Sequence, residues 1–287
     1  MTVSVAYLGP PGTYAELATI QYVSHLTQRT DRDVHLHPYP TISQALKAVA
    51  QGQAELAVAP VENSIQGSVA MTLDSLWQLE TLQIQTALIL PITHALLSQA
   101  ETQADIRIVY SHPQALAQCQ KWLETFLPTA QRIPTNSTTE ALQFLREDRT
   151  LAAIASQRAA QLYNLPILAC PINDRADNCT RFWVLGLQPY PGGDYTSLAF
   201  SLPDNKPGAL VKPLQIFAQR QINLSRIESR PSKRSLGDYL FFMDLEANID
   251  RQISIKSALE ELRHYTETLK IFGSYNILSV QSVPISE

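Results

Sequence analysis

Cysteine is scarce in this sequence, and its three copies, Cys119, Cys170 and Cys179, are scattered without a C-x-x-C pair. That pattern argues against a disulfide framework or a thiolate zinc site and reads as reduced thiols in a cytoplasm. Cys179 stands beside Thr180 without an activating pattern around it, so it reads as a buried neighbour and not a nucleophile. An excess of positive charge is also missing. Net charge is −4, from 22 Lys and Arg against 26 Asp and Glu, which offers nucleic acid no basic footprint. The first cation is Arg29, so the start of the chain lacks the charged region of a signal or transit peptide. No apolar run is long enough for a bilayer: the stretch from Ala87 to Leu97 is short and is broken by Thr93 and His94. His35 and His37 have no third ligand nearby and read as exposed residues, so no metal is expected.

What is present is ordinary for a globular chain, with 45% apolar and 17% charged residues. A length of 287 residues suits about two domains. Val3 to Leu8 alternates as a strand, meets Gly9-Pro10-Pro11-Gly12-Thr13, and leads into a helix from Tyr14 to about His25. Such a turn is an anion seat, because free backbone N–H groups and the helix dipole point at it. No Gly-Lys-Ser/Thr follows, which excludes a phosphate loop. A helix over Ile42–Gln51 precedes a short buried strand, Leu56–Ala59. Glu62-Asn63-Ser64 follows with Gly67 and Ser68, ahead of a helix from Ser68 to Leu79. A strand over Gln83–Leu90 is placed to cross into a second lobe. Arg107–Tyr110 is the next strand, closed by Ser111-His112-Pro113-Gln114 and a helix from Ala115 to Leu123. Ser137-Thr138-Thr139-Glu140 caps a helix reaching Arg146, and Ala152–Ala155 is a strand with a helix to about Asn164.

Polar clusters thus recur at the carboxyl ends of strands, where open α/β sheets bind ligands. The last of them is Asn178-Cys179-Thr180-Arg181-Phe182-Trp183-Val184-Leu185. In a strand Thr180 and Phe182 share one face and Arg181 takes the other; a bulge at the strand mouth would bring all three to one cavity. Residues 1–187 therefore read as a doubly wound α/β body of two lobes with a cleft. Residues 188–196 read as a linker, and residues 197–287 follow a β-α-β-β-α-β order that is ferredoxin-like.

Six segments together carry a resemblance. Gly9-Pro10-x-Gly12-Thr13-Tyr14, Glu62-Asn63-Ser64 with Gly67, Ser111-His112-Pro113-Gln114 and Thr180-Arg181-Phe182 resemble, in this order, the motifs of prephenate dehydratases. Gly208-Ala209-Leu210-Val211 and Glu228-Ser229-Arg230-Pro231 resemble the phenylalanine-binding signatures of that family's ACT domain. Two positions depart from the pattern: Ala15, where Ser or Thr is usual, and Gln66, where Glu is frequent. The resemblance implies a catalytic body like a periplasmic binding protein, conversion of prephenate to phenylpyruvate, water and carbon dioxide, and feedback control by L-phenylalanine. It also implies a homodimer or homotetramer paired through ACT domains. Aromatisation drives that reaction, so no cofactor is expected, and with nothing ahead of Val3 for the chorismate mutase sometimes fused upstream, a monofunctional enzyme is expected.

Thr180 is by resemblance the catalytic hydroxyl, with Glu62 or water as a source of its proton. Arg181, the only lysine or arginine in the cleft motifs, is expected to clamp a carboxylate, and Phe182 to line the ring site. Asn63 and Ser64 assist, and Gly12, Thr13, Tyr14, Gly67, Ser68, Ser111, His112, Gln114 and Thr138 complete the substrate site. Two rival expectations stand beside this one. The first is an arogenate dehydratase, and the second a non-catalytic amino-acid sensor of the same architecture.

Overall fold

The structure, a computed structural model, describes residues 2–28, 32–190, 192–249 and 252–279. The first lobe begins β1 (Val3–Leu8), α1 (Tyr14–Thr27), β2 (Val34–Tyr39) and α2 (Ile42–Ala50). It continues with β3 (Leu56–Asn63), β4 (Gly67–Ser68), α3 (Ala70–Gln78) and β5 (Gln83–Pro91). The second lobe comprises β6 (His94–Ser98), β7 (Ile108–Ser111), α4 (Pro113–Gln118), α5 (Gln120–Phe126), β8 (Gln131–Pro134), β9 (Leu151–Ser156), α6 (Gln157–Tyr163) and β10 (Ile167–Ala169). The chain then returns through β11 (Cys179–Gly186) to the first lobe. The tail holds β12 (Tyr195–Ser201), α7 (Val211–Gln219), β13 (Leu224–Pro231), β14 (Tyr239–Leu245), α8 (Ile253–Arg263), β15 (Thr268–Tyr275) and β16 (Ile277–Ser279).

Three sheets result. The first-lobe sheet has the order β16-β5-β11-β3-β1-β2, with β4 added to β3; the second-lobe sheet runs β10-β6-β9-β7-β8. The tail sheet, β13-β14-β12-β15, is antiparallel throughout and is the ferredoxin-like arrangement expected. Central strands of the first lobe are buried on both faces, which explains their apolar runs. In β1, Val3 and Val5 enter the core under α1 while Ala6 faces the core under α2.

The two lobes are joined where the chain crosses between β5 and β6 and again ahead of β11. The crossings are bonded to each other: Ile92 N–H donates to Asn178 O (2.9 Å), Ile172 N–H to His94 O (3.0 Å), and Asn173 Nδ2 to Ile92 O (2.8 Å). Residues at these crossings are fixed relative to both lobes.

Several element bounds differ from expectation. β3 continues beyond Ala59 to Asn63, so Glu62 and Asn63 sit in a strand. The expected helix from Ala115 is two short helices broken at Cys119, because Asp174 caps the second one from outside, accepting from Lys121 N–H (2.9 Å) and Trp122 N–H (3.0 Å). Residues 140–146 form a 3-10 helix, with Ser137 Oγ accepting from Glu140 N–H. α7 starts at Val211, after a turn in which Gly208 takes φ +81°.

The tail domain does not hang from a linker. One face of its sheet is covered by α7 and α8, where Ile216, Phe217, Ile255 and Leu259 pack on Leu198, Phe200 and Met243. The other face, with Ala199, Leu240, Phe242 and Phe272, enters the same core as Leu73 and Leu76 of α3 and Trp183 and Leu185 of β11. Strand β16 then leaves the tail domain altogether and pairs parallel with β5 in the first-lobe sheet.

Candidate active site

A cavity of about 730 Å³ opens between the two lobes. The first lobe lines it with Pro10, Thr13, Tyr14, Pro60, Asn63, Thr180 and Phe182, the crossing with Ile92 and His94, and the second lobe with His112, Gln114, Gln118, Thr138, Glu140 and Tyr163 among others. At its floor lies a hydrogen-bonded group of buried side chains. Asn63 Nδ2 reaches Asn178 Oδ1 (2.8 Å), Thr180 Oγ1 (3.0 Å) and Cys179 O (3.1 Å). Asn63 Oδ1 accepts from the backbone N–H groups of Ile65 (3.1 Å) and Gln66 (3.2 Å) and from Gln118 Nε2 (3.2 Å). Gln118 Oε1 accepts in turn from Asn178 Nδ2 (2.9 Å) and meets His94 Nε2 (2.9 Å).

The two backbone donors decide every orientation in this group. They fix which end of Asn63 is oxygen, so its amine is the end that faces Thr180. Thr180 Oγ1 is then an acceptor in that bond, and its own hydrogen remains to be donated into the cavity that it lines. Burial lowers the pKa of His94 and of His112 below the usual imidazole value, which favours the neutral rings near pH 7.

A prephenate dehydratase family model matches residues 5–189, and an ACT domain model matches residues 196–264. A prephenate dehydratase of Lactococcus lactis is 37% identical over 286 residues, covering 97% of this chain and 99% of the relative. The chain belongs to the prephenate dehydratase family. Its members are hydro-lyases. Among solved structures, the prephenate dehydratase of Arthrobacter aurescens in complex with L-Phe superposes with a TM-score of 0.85 at 34% identity, covering 96% of this chain and 90% of that one. The fold also carries a protein described as a novel type of quorum-quenching acylase, GqqA, with a TM-score of 0.77 at 31% identity, covering 96% and 98%.

The dehydratase motifs do not all reach the cavity. Thr13, Tyr14, Asn63, His112, Gln114, Thr138, Thr180 and Phe182 line it, as does Ala15. Arg181 is turned away, which corrects the expectation of a carboxylate clamp. Its Nη1 lies 3.1 Å from Asp244 Oδ2 of β14 and 3.7 Å from Glu62 Oε2. The bulge anticipated at the strand mouth exists, but it belongs to β3. Arg181 pairs with Glu62 and Phe182 with Pro60, so Val61 is the extra residue, while β11 runs in register with β5 from Cys179 to Val184. Strand β11 therefore keeps its alternation, Thr180 and Phe182 inward and Arg181 outward. On β3 the extra residue swaps faces, turning Asn63 inward and sending Glu62 out to Arg181. Glu62 is thus not placed to relay a proton to Thr180.

Other expected residues build the walls from behind. Ser64 Oγ accepts from Cys179 N–H (3.0 Å), and Gly67 and Ser68 form the short strand that pairs with Glu62 and Asn63. Ser111 Oγ donates to Ile154 O (2.6 Å), fixing β7 to β9. Cys179 is partly exposed, not buried as expected.

Gly12 is one of the contacts between the lobes. Its carbonyl accepts from Ser156 Oγ (2.8 Å), its N–H donates to Glu16 Oε2 (2.8 Å), and its φ is +88°. A Cβ here would meet Thr139 Cγ2 at 3.0 Å, Tyr163 Cε2 at 3.2 Å and Ala159 Cβ at 3.3 Å, all on the second lobe. Gly12→Val adds backbone strain of about 1–2 kcal/mol to that crowding. It should raise KM at least several-fold by forcing the lobes apart; steady-state kinetics that match wild type would refute this.

Sequence reading missed His94, Gln118 and Asn178 as site residues. Two signals were available: a lone histidine interrupting an apolar run, and an asparagine directly ahead of the Thr-Arg-Phe motif. In the ACT domain Gly208, Ala209, Leu210 and Val211 lead into α7, with Val211 exposed, and Glu228, Ser229, Arg230 and Pro231 close the edge strand β13. Arg230 is engaged elsewhere, holding Asp74 of α3 at 3.2 Å, where Lys233 joins it at 2.7 Å.

Proposed function

We propose that this chain releases carbon dioxide and hydroxide from prephenate to give phenylpyruvate, and that L-phenylalanine bound to its ACT domain controls the rate. The observation that carries the reading is the Thr180 hydroxyl: Asn63 donates to its oxygen, and its hydrogen is left for an oxygen departing from a bound ring. The prephenate dianion plus one proton gives the phenylpyruvate anion, carbon dioxide and water. The electron pair of the C–carboxylate bond moves into the diene, the ring becomes aromatic, and hydroxide leaves from the opposite carbon. A hydrogen bond donated by Thr180 stabilises the charge growing on that oxygen. Phe182 supplies an apolar wall for the ring. Carboxylates are met by first-turn N–H groups of α1, at Tyr14 and Ala15, which no helical bond uses.

The direct test is formation of an aromatic keto acid from prephenate, with arogenate assayed alongside. Turnover of arogenate alone would overturn the substrate, and turnover of neither would overturn the activity. For control, the relatedness of the A. aurescens complex and the signatures on α7 and β13 support an L-phenylalanine site. Gly208→Val or Ser229→Ala should raise the phenylalanine concentration needed for half-maximal response roughly tenfold, about 1.4 kcal/mol of lost affinity. Both variants keeping the wild-type response would remove those segments from the effector site. The oligomer expected of ACT domains, a dimer or tetramer, is read from the mass in solution.

A further inference from the structure

The described residues lining the cavity include no lysine or arginine, and one carboxylate, Glu140, is among them. A dicarboxylate bound there is left without a formal countercharge, and buried charge without one is costly. Two lining groups, His94 and His112, can turn positive near neutral pH. They are not equivalent. His112 Nδ1 accepts from Gln114 N–H (3.2 Å) and caps α4, so a proton placed on Nδ1 breaks that bond.

We propose that His94 takes up a proton when the dicarboxylate binds and so supplies the positive charge that the cavity wall lacks. This rests on the reading of the substrate as a dicarboxylate. The surroundings of His94 are built for two protonation states. On one side Nε2 must carry hydrogen in both, because Gln118 presents its oxygen, held that way by Asn63 and Asn178. On the other side Nδ1 lies 2.8 Å from Tyr14 OH, and that same hydroxyl lies 2.8 Å from Thr93 O. With a neutral ring, Tyr14 donates its one hydrogen to Nδ1. With a charged ring, Nδ1–H donates to the Tyr14 oxygen and Tyr14 donates to Thr93 O. One rotation of an O–H bond exchanges the two states, and each donor keeps an acceptor.

The ionisable groups around His94 fit this role. Tyr14 on α1 has its phenol held neutral by burial, with the thiols of Cys119 and Cys170 adding to the shift. Cys119, between α4 and α5, is itself held neutral chiefly by burial and secondarily by Asp174. Glu140 on the 3-10 helix, His112 at the start of α4 and Tyr163 on α6 share the cavity. The bound state holds the extra proton, so affinity falls as pH rises. The window runs from the lowered pKa of the empty ring up to its raised pKa in the complex. Below that window His94 is already charged and the dependence vanishes.

The experiment is the KM for prephenate between about pH 6 and pH 8.5 in wild type and His94→Gln. Wild-type KM should rise with pH, approaching tenfold per unit for one linked proton, while His94→Gln, which keeps an N–H donor for Gln118, should be flat. A purely structural role would change KM or kcat by the same factor at every pH. Should that variant fail to fold, histidine-15N spectra of Thr180→Val with prephenate decide the matter, the chain having six histidines to assign. One ring must pass from the neutral to the imidazolium pattern. A flat wild-type KM, or no ring converting, overturns the proposal; absence of keto acid from prephenate altogether would instead strike the functional reading.

Discussion

Thr180→Val should abolish most turnover while leaving the protein folded. Valine has nearly the shape of threonine and is a good strand residue, so the pairing opposite Leu90 in the sheet is retained. The Asn63 amine does not become an orphan, since Asn178 Oδ1 and Cys179 O remain as acceptors for its two hydrogens. The melting temperature is therefore expected to stay within a few degrees of wild type. What disappears is the one hydroxyl hydrogen that this network leaves uncommitted at the floor of the cavity. Positioned proton donors contribute about 10²–10⁴ in rate, and a fall of that size in kcat, with KM little changed, is the expected result. Thr180→Ser should keep a measurable part of the activity, because the donor survives and only its rotamer is loosened. Equal kcat for the valine variant and wild type would take Thr180 out of the chemistry.

The fold was legible because its signals are local. The alternation in Val3–Leu8 and the Gly12-Thr13 start of α1 each depend on a few adjacent residues, and β1 and α1 are found where they were expected. The face that each site residue takes was legible only in part. Thr180 and Phe182 follow strand alternation and needed nothing more. Glu62 and Asn63 exchanged roles because one extra residue, Val61, sits in β3, and no residue type announces a bulge there. His94, Gln118 and Asn178 come from three separate segments, and the side-chain bonds that draw them into one group span 24 to 115 positions of sequence. Such a network exists only after folding. The same holds for β16, whose partner β5 lies far upstream.

Asp244→Ala should be the most destabilising single change among the charged residues that join the ACT domain to the catalytic body. Asp244 is 1% exposed and binds three partners. Its Oδ1 accepts from Ser197 Oγ (2.6 Å), and its Oδ2 from Arg226 Nε (2.7 Å) and Arg181 Nη1 (3.1 Å). Burial works against the charge of Arg226, and Asp244, with smaller help from Glu62 and Tyr275, more than offsets it and raises the pKa; a guanidinium keeps its charge in any case, so taking Asp244 away leaves the burial cost without its main compensation. Removing the carboxylate strands a guanidinium that is 8% exposed, and breaking such a pair costs about 3–5 kcal/mol. At ~2–4 °C per kcal/mol for a chain of this size, the midpoint of thermal unfolding should drop by roughly 6–20 °C. Arg181 keeps Glu62 as a second, more exposed partner, so the loss falls mainly on Arg226. The double change Asp244→Leu with Arg226→Met removes both buried charges and should recover most of the lost stability, since apolar replacements of buried ion pairs are often neutral. It would still leave Arg181, the direct neighbour of Thr180, without its tie to the ACT sheet. Strand β11 shows Thr180 to the cavity between the lobes on one face and Arg181 to the ACT domain on the other, so a stable protein lacking this tie separates a structural role of Asp244 from one in coupling. If the double variant is as stable as wild type yet turnover no longer answers to phenylalanine, the tie carries the coupling between the sites. If it responds as wild type does, the tie is structural, and the coupling runs through other contacts between the domains, among them Arg230 and Lys233 on Asp74.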